Sequence, residues 1–165
     1  EAYGKSWPVK VHANGDAAID QLFEALRPVV AKHGVKPGQV ILVHGQFIRP
    51  DQVQALKSLG VFPSMFPMHT FYWGDWYKQI VGPEQAAQIS PMRSILNTGL
   101  HATSHTDAPV ALPNLMQVVW ATVNRTSRSG TVVGPDERVT PYEAMKMVTI
   151  WGAEQFGEQA TKGSI

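Results

Sequence analysis

Apolar, strand-like runs alternate with helical patterns along this chain, and three of the runs lead into a histidine or an aspartate. His12 and His44 lie at the ends of two such runs, and Asp107 follows a third. In parallel α/β folds the carboxyl ends of the strands share one edge of the sheet, where barrels assemble their sites. The alternation therefore predicts an α/β fold that brings these three side chains to one edge.

Four strands are predicted from the distribution of apolar residues. They cover residues 9–13, 39–44, 61–68 and 101–107. The second contains a continuous apolar run at residues 40–43, which is typical of a strand covered on both faces. The third is less regular because it contains Pro63 and Pro67, and proline cannot donate a ladder hydrogen bond. Strand and helix alternate four times, which is too few units to close an eight-stranded barrel.

The clearest predicted helix follows the first strand and ends near Gly34. Its apolar residues recur at the i, i+3, i+4, i+7 spacing of one buried face, namely Ile19, Leu22, Phe23, Leu26, Val29 and Val30. Further helices are predicted at residues 50–59, 91–97, 114–126 and 141–157. The last of these opens with Thr140 and Glu143 at the spacing of a capping box. Residues 69–90, rich in aromatic side chains, are predicted as a long functional loop.

Composition narrows the class of protein. The chain has 165 residues, of which 44% are hydrophobic, and its formal net charge is +1, as expected for a globular domain with one core. Lysine and arginine are scattered, which argues against nucleic acid as a partner, and no apolar run reaches the roughly 18 residues of a membrane span. The absence of cysteine excludes disulfides and thiolate ligands. Because the chain begins with Glu1, the compartment is left open.

Imidazole and carboxylate groups at one edge suggest a metal site. His12, His44 and Asp107 together suit zinc or another divalent transition metal, and hydrolysis by an activated water is the chemistry that follows. Each residue alone has a structural alternative. A histidine there is often a satisfied structural residue, and an aspartate often closes a turn or caps a helix. The combination of three, rather than any one of them, favours the metal site.

The amino-acid sequences of four segments strengthen the interpretation as a metal site. Residues 12–16, 63–75, 104–110 and 124–130 resemble the amidohydrolase superfamily. The resemblance is closest to the amidohydrolase-3 group, which includes the N-substituted formamide deformylases and related metal-dependent hydrolases. It implies a partial TIM (β/α)8 barrel, approximately strands 5 to 8 with their helices. It also implies that His12 and His44 are metal ligands from strands 5 and 6, and that Asp107 from strand 8 is both a ligand and the catalytic acid–base for one or two Zn²⁺ ions.

The sequence departs from that family in one respect. The first barrel strand of the family carries a His-x-His pair, and no such pair occurs here. We therefore expect residues 1–165 to be the C-terminal half of a metal-dependent hydrolase barrel, without strands 1–4 and without the flanking β-domain. Because a half-barrel leaves open sheet edges, the chain is expected to need the N-terminal half-barrel or a homo-oligomer.

Three further residues are predicted to contact substrate. His69 ends the third strand and His105 lies two residues before Asp107, while Trp73 belongs to an aromatic group that could wall a pocket. The alternatives are that His69 is bonded within the long loop, that His105 fills the barrel interior, and that Trp73 belongs to a small core of the loop itself. Arg125 and Arg128 could bind a substrate carboxylate, although a helix-end charge is the commoner role.

These residues lead to two functional hypotheses. The first is a metal-dependent amidohydrolase that hydrolyses the C–N bond of a small-molecule amide or formamide. The alternative is a catalytically silent half-barrel that acts at most as a binding or assembly module. The four resembling segments argue against a third hypothesis, a complete open α/β sheet whose histidines are structural. A nucleotide function is not supported, because the sequence has no glycine-rich phosphate loop.

Overall fold

A parallel sheet of four strands forms the centre of the chain in the computed structural model, which describes residues 1–164. The strands are β1 (Val9–Ala13), β2 (Val40–His44), β3 (Val61–Met65) and β4 (Thr103–Ser104). Their order in the sheet is β1-β2-β3-β4, and every neighbouring pair is parallel. The predicted α/β class with a parallel sheet is thus confirmed.

Eight α-helices accompany these strands in the described part of the chain. They are α1 (Asp16–His33), α2 (Pro50–Leu59), α3 (Met68–Ile80), α4 (Pro83–Ala87), α5 (Met92–Asn97), α6 (Leu115–Asn124), α7 (Pro141–Met147) and α8 (Ile150–Gln155). A short 3-10 helix covers Pro135–Glu137. Across residues 1–164, no helix combines the length and the apolar character that crossing a membrane requires.

The main core lies between one face of the sheet and helices α1, α2, α5, α7 and α8. Ile19, Phe23 and Leu26 of α1 are buried there, as the helical spacing predicts. Leu42 of β2 and Leu56 of α2 have no exposed surface. Apolar burial at this interface is the main force that holds the helices on the sheet. The other face is more open at β1, where Lys10 and His12 are exposed.

The prediction of a loop at residues 69–90 is wrong, because most of this segment is helical. Helix α3 covers Met68–Ile80 and α4 covers Pro83–Ala87. Helix α3 approaches the loop after α6 closely at Gly74, where an added Cβ would lie 2.8 Å from Cγ2 of Val133. Packing of this kind stabilises a helix whose aromatic composition gives it a modest intrinsic propensity.

Three other predicted boundaries are corrected. The helix predicted at 141–157 is divided into α7 and α8, because Thr149 has a non-helical backbone with φ −129° and ψ −100°. Strand β3 ends at Met65, since Pro67 caps the start of α3. Strand β4 contains only two residues, because Ser64 and Met65 are the only β3 residues that pair with it.

The capping box at α7 is confirmed and also anchors α5. The backbone N–H of Glu143 donates to Thr140 Oγ1 at 3.2 Å, and the N–H of Thr140 donates to Glu143 Oε2 at 2.7 Å. Arg93 of α5 donates to both carboxylate oxygens of Glu143, at 2.9 and 2.5 Å. The Arg93 guanidinium, more than any other group, lowers the pKa of Glu143 to about 2.

The ion pair between Arg93 and Glu143 is expected to make the free energy of unfolding depend on pH. Because the folded-state pKa of Glu143 lies below its ordinary value of 4.5, its stabilisation is present above that pH and is lost as the pH falls toward 2. We expect Glu143→Gln to lower the free energy of unfolding by about 1 kcal/mol at pH 7 and by much less at pH 2.5, since the pair is partly solvated. Urea denaturation at both pH values measures the difference. Equal losses at the two pH values would contradict this account.

Candidate metal centre

The carboxyl ends of the strands bring three histidine side chains to one edge of the sheet. His44 is the last residue of β2, and His12 is the penultimate residue of β1. Ala13, His44 and Met65 pair in register, so these strand ends are level. His105 follows β4 directly, and its backbone N–H donates to the carbonyl of Met65 at 3.0 Å.

His44, His105 and Asp107 form a compact cluster at this edge. Each offers one possible ligand atom, and these atoms all lie within 4.8 Å of one another. Nε2 of His44 is 3.9 Å from Oδ2 of Asp107. The imidazole centroids of His44 and His105 are 5.0 Å apart. The structure therefore brings together two of the predicted ligands and adds a histidine that the sequence assigns to substrate contact.

His12 lies beside this set but outside it. Its ring centroid is 4.6 Å from that of His44, in an edge-to-face arrangement, and its side chain is exposed. Within residues 1–164, His44, His105 and Asp107 form the only group of three histidine or carboxylate side chains that places its possible ligand atoms this close together. The role of His12 as a metal ligand remains a prediction.

Two members of the cluster have an unusual backbone conformation. His44 has a φ of 77° and Asp107 a φ of 53°, both in the left-handed region that favours glycine. Ala13 and Met65, the neighbours of His44 in the sheet register, have side chains in the apolar core. The ring of His44 instead contacts another imidazole, so the left-handed backbone interrupts the alternation of side chains along β2. Such strain concentrates at functional sites, where the surrounding structure maintains it.

Two imidazole nitrogens of the cluster are buried and lack a hydrogen-bond partner among the described residues. They are Nδ1 of His44 and Nε2 of His105. Leaving a buried polar atom unpaired costs about 1–3 kcal/mol, so native proteins rarely tolerate it without a further partner. Two imidazoles with free nitrogens and one carboxylate are a donor set that divalent transition metals accept. The residues present therefore fit a metal ion.

Burial favours the neutral form of His44, His69 and His105. It lowers the pKa of His44, although the Asp107 carboxylate opposes that shift. It also lowers the pKa of His105 to about 4 and that of His69 to about 3, and the nearby imidazoles add to both shifts. Neutral imidazole is the form that binds a metal, so these environments favour coordination at neutral pH.

An aromatic wall adjoins the cluster. Phe66 stacks on His105 with a centroid distance of 5.4 Å and an interplanar angle of 13°, and it contacts His69 at 4.7 Å. Trp73 of α3 lies 6.0 Å from His69. The two remaining predicted substrate contacts, His69 and Trp73, thus lie together beside the cluster, and their contact with substrate stays a prediction.

Arg125 is placed differently from what its position at a helix end suggests. It is completely buried, and its guanidinium donates to the carbonyls of Val133, Ser90 and Ile89 at 2.8, 2.9 and 2.7 Å. These contacts hold the chain between α4 and α5 against the end of α6. A substrate carboxylate therefore has no access to this guanidinium, whereas Arg128 is exposed.

Comparison with known proteins identifies the family. The model of the amidohydrolase family matches residues 1–165. The chain belongs to the amidohydrolase family. Among curated amidohydrolase relatives, the N-substituted formamide deformylase of Arthrobacter pascens is 29% identical over 156 residues, which are 94% of this chain and 29% of that protein.

Solved structures extend the comparison to the fold. An uncharacterized metal-dependent hydrolase from Pyrococcus furiosus matches with a TM-score of 0.73 and 28% identity, over 95% of this chain and 30% of that chain. Atrazine chlorohydrolase from Arthrobacter aurescens, complexed with zinc, matches with a TM-score of 0.58 and 16% identity, over 95% and 33%. The chain spans about a third of the length of these relatives. The predicted partial TIM barrel is confirmed.

Proposed function

We propose that this chain carries part of the active site of a metal-dependent amidohydrolase that hydrolyses the C–N bond of a small-molecule amide or formamide. The observation that carries the proposal is the cluster of His44, His105 and Asp107, with two buried imidazole nitrogens that have no partner among residues 1–164. Membership of the amidohydrolase family supports the hydrolytic activity. The formamide deformylase relative supports a C–N bond as the target.

The proposed metal is zinc or another divalent transition metal, as one or two ions. His44 and Asp107 would hold it, with His105 or His12 as a third ligand. When bound, such an ion would act as a Lewis acid, which polarises an amide carbonyl and lowers the pKa of a water molecule. His44 and His105 would contribute neutral donors, which add no negative charge to the site beyond that of the Asp107 carboxylate.

Asp107 is proposed as the catalytic acid–base. Its side chain is 38% exposed, so a water molecule and a substrate can reach the carboxylate, and its Oδ2 faces Nε2 of His44. The carboxylate would accept a proton from the attacking water and transfer it to the leaving amine. His69 and Trp73 would contact the substrate, with the aromatic wall next to its apolar portion, and His105 would join them where His12 is the third ligand.

The two open edges of the sheet also need partners. Strands β1 and β4 are the two ends of the sheet, so each has one side without a hydrogen-bonded neighbour strand among the described residues. Unpaired edges of this kind are normally covered. We propose that residues 1–165 correspond to strands 5–8 and that a separate N-terminal half-barrel or a second copy covers the edges. The silent half-barrel is the alternative.

Hydrolysis of a panel of amides and formamides in the presence of zinc tests the function. We expect Asp107→Asn to lower kcat by about 100-fold or more, because general acid–base groups contribute about 10²–10⁴-fold to rates. Asp136→Asn, an exposed aspartate of the 3-10 helix, is the matched control and is expected to leave the rate unchanged. Full activity of Asp107→Asn would contradict the assignment. Metal binding without turnover of any amide would favour the silent half-barrel.

A further inference from the structure

Ser90 is a buried junction between three parts of the fold. Its backbone N–H donates to the carbonyl of Gln46, in the turn after β2, at 2.9 Å. Its carbonyl accepts from Nη1 of Arg125 at 2.9 Å. Its side chain is completely buried, and its φ is 46°. Both backbone groups are thus held by hydrogen bonds.

The hydroxyl of Ser90 lies between a carbonyl and an imidazole. Oγ donates to the carbonyl of Phe66, at a distance of 3.3 Å, and lies 3.3 Å from Nδ1 of His69. A hydroxyl has one hydrogen and two lone pairs. Since its hydrogen is directed to Phe66, the contact with His69 needs the imidazole to be the donor. The proton of neutral His69 then resides on Nδ1.

The other nitrogen of His69 is left as an acceptor. Nε2 has no hydrogen-bond partner within residues 1–164, and the rings of His44, Phe66 and Trp73 surround the imidazole at centroid distances of 5.8, 4.7 and 6.0 Å. None of these neighbouring rings supplies a donor to Nε2 in the structure. A free acceptor beside the cluster of His44 and His105 is therefore available to a molecule bound there.

We propose that Ser90 is a positioning residue that holds His69 as the Nδ1–H tautomer, so that Nε2 accepts a hydrogen bond from an N–H or O–H group of the substrate. The proposal rests on the proposed function and deepens it. It selects substrates with a donor next to the scissile bond, such as secondary amides and formamides. Fully substituted amides, which carry no N–H, lack that donor.

Nitrogen-15 NMR of histidine-labelled protein at neutral pH tests the tautomer directly. The His69 signals are assigned from their absence in His69→Gln. We expect wild-type His69 to show a protonated Nδ1 and an unprotonated Nε2, with and without added zinc. In Ser90→Ala we expect a mixture of tautomers, because the fixed acceptor for Nδ1–H is lost. Ser90→Gly removes the same hydroxyl and tolerates the positive φ, so it serves if Ser90→Ala does not fold.

Ser94→Ala is the matched control for these variants. It removes a hydroxyl from the neighbouring helix α5, where Oγ donates to Glu137 rather than to a histidine. The tautomer of His69 is expected to be unchanged in it. A protonated Nε2 in the wild-type protein would overturn the proposal. An unchanged Nδ1–H tautomer in both Ser90→Ala and Ser90→Gly would overturn the role of Ser90.

Kinetics separate this proposal from the proposed function. With a secondary amide that the protein hydrolyses, Ser90→Ala and His69→Gln are each expected to lower kcat/KM by about tenfold, the equivalent of one lost hydrogen bond. With the corresponding amide that lacks an N–H, neither variant should change kcat/KM. Equal losses for both substrates would overturn the substrate contact. Absence of hydrolysis in the wild-type protein would instead contradict the proposed function, while the NMR result still decides the role of Ser90.

Discussion

Replacing Arg125 by methionine is expected to lower the free energy of unfolding by about 3–5 kcal/mol, because three buried carbonyls each lose a charged hydrogen-bond donor and an unsatisfied buried acceptor costs about 1–3 kcal/mol. The guanidinium is completely buried and donates to three carbonyls at 2.9 Å or less. Burial lowers its pKa to about 10, so it remains charged at neutral pH. Methionine fills a similar volume but donates no hydrogen bond, which leaves the carbonyls of Val133, Ser90 and Ile89 unsatisfied.

Urea denaturation at pH 7 measures this loss, and two further variants give it a scale. Arg128→Met changes the same residue type at an exposed position and is expected to alter stability by about 0.5 kcal/mol or less. Arg125→Lys keeps the charge but loses the planar set of donors, so an intermediate loss is expected. The account of Arg125 fails if Arg125→Met is as stable as Arg128→Met.

Replacing His105 by alanine is expected to weaken metal binding by about 100-fold or more, and to weaken it more than His12→Ala does. Losses of 10–100-fold are typical even for residues that only support a ligand, and His105 is placed as a ligand itself. It belongs with His44 and Asp107 to the set whose donor atoms lie within 4.8 Å, whereas His12 does not. Titration of zinc against a competing chelator measures the affinity of each variant.

His33→Ala is the control for this comparison, because His33 lies at the end of α1 and is exposed. Its metal affinity is expected to equal that of the unmodified chain. Loss of binding in His12→Ala with unchanged binding in His105→Ala would reverse the assignment. The ligand set implied by family resemblance would then be correct, and the set indicated by the compact cluster would be wrong.

Regular periodicity explains which parts of the fold the sequence predicts. Strand β1 and helix α2 have the predicted limits, and α1 buries the predicted apolar face. Helix α3 was missed because its aromatic and polar residues show no single apolar stripe, and its stability comes from packing against neighbouring elements. The break at Thr149 was missed for the opposite reason, since an unbroken helical pattern runs across it.

The candidate site could be predicted only in part. The placement of His44 and Asp107 follows from strands that end in turns, which local sequence reveals. The spacing of His105 from Asp107 indicates that it lies near the site, but not that it joins the compact set, because the sequence does not show that β4 ends at Ser104 or that Asp107 has a left-handed backbone. Ser90 and Arg125 meet through contacts across 35 residues, so no pattern of neighbouring residues could indicate them.

Metal content per chain tests the central claim most directly. Protein purified without chelator and analysed by inductively coupled plasma mass spectrometry is expected to contain about one equivalent of zinc or another divalent transition metal, as a site with three protein ligands requires. His44→Ala, which removes the buried imidazole that faces both Asp107 and His105, is expected to contain none. Metal-free protein that also binds no added zinc, or metal retained in full by His44→Ala, would contradict the account.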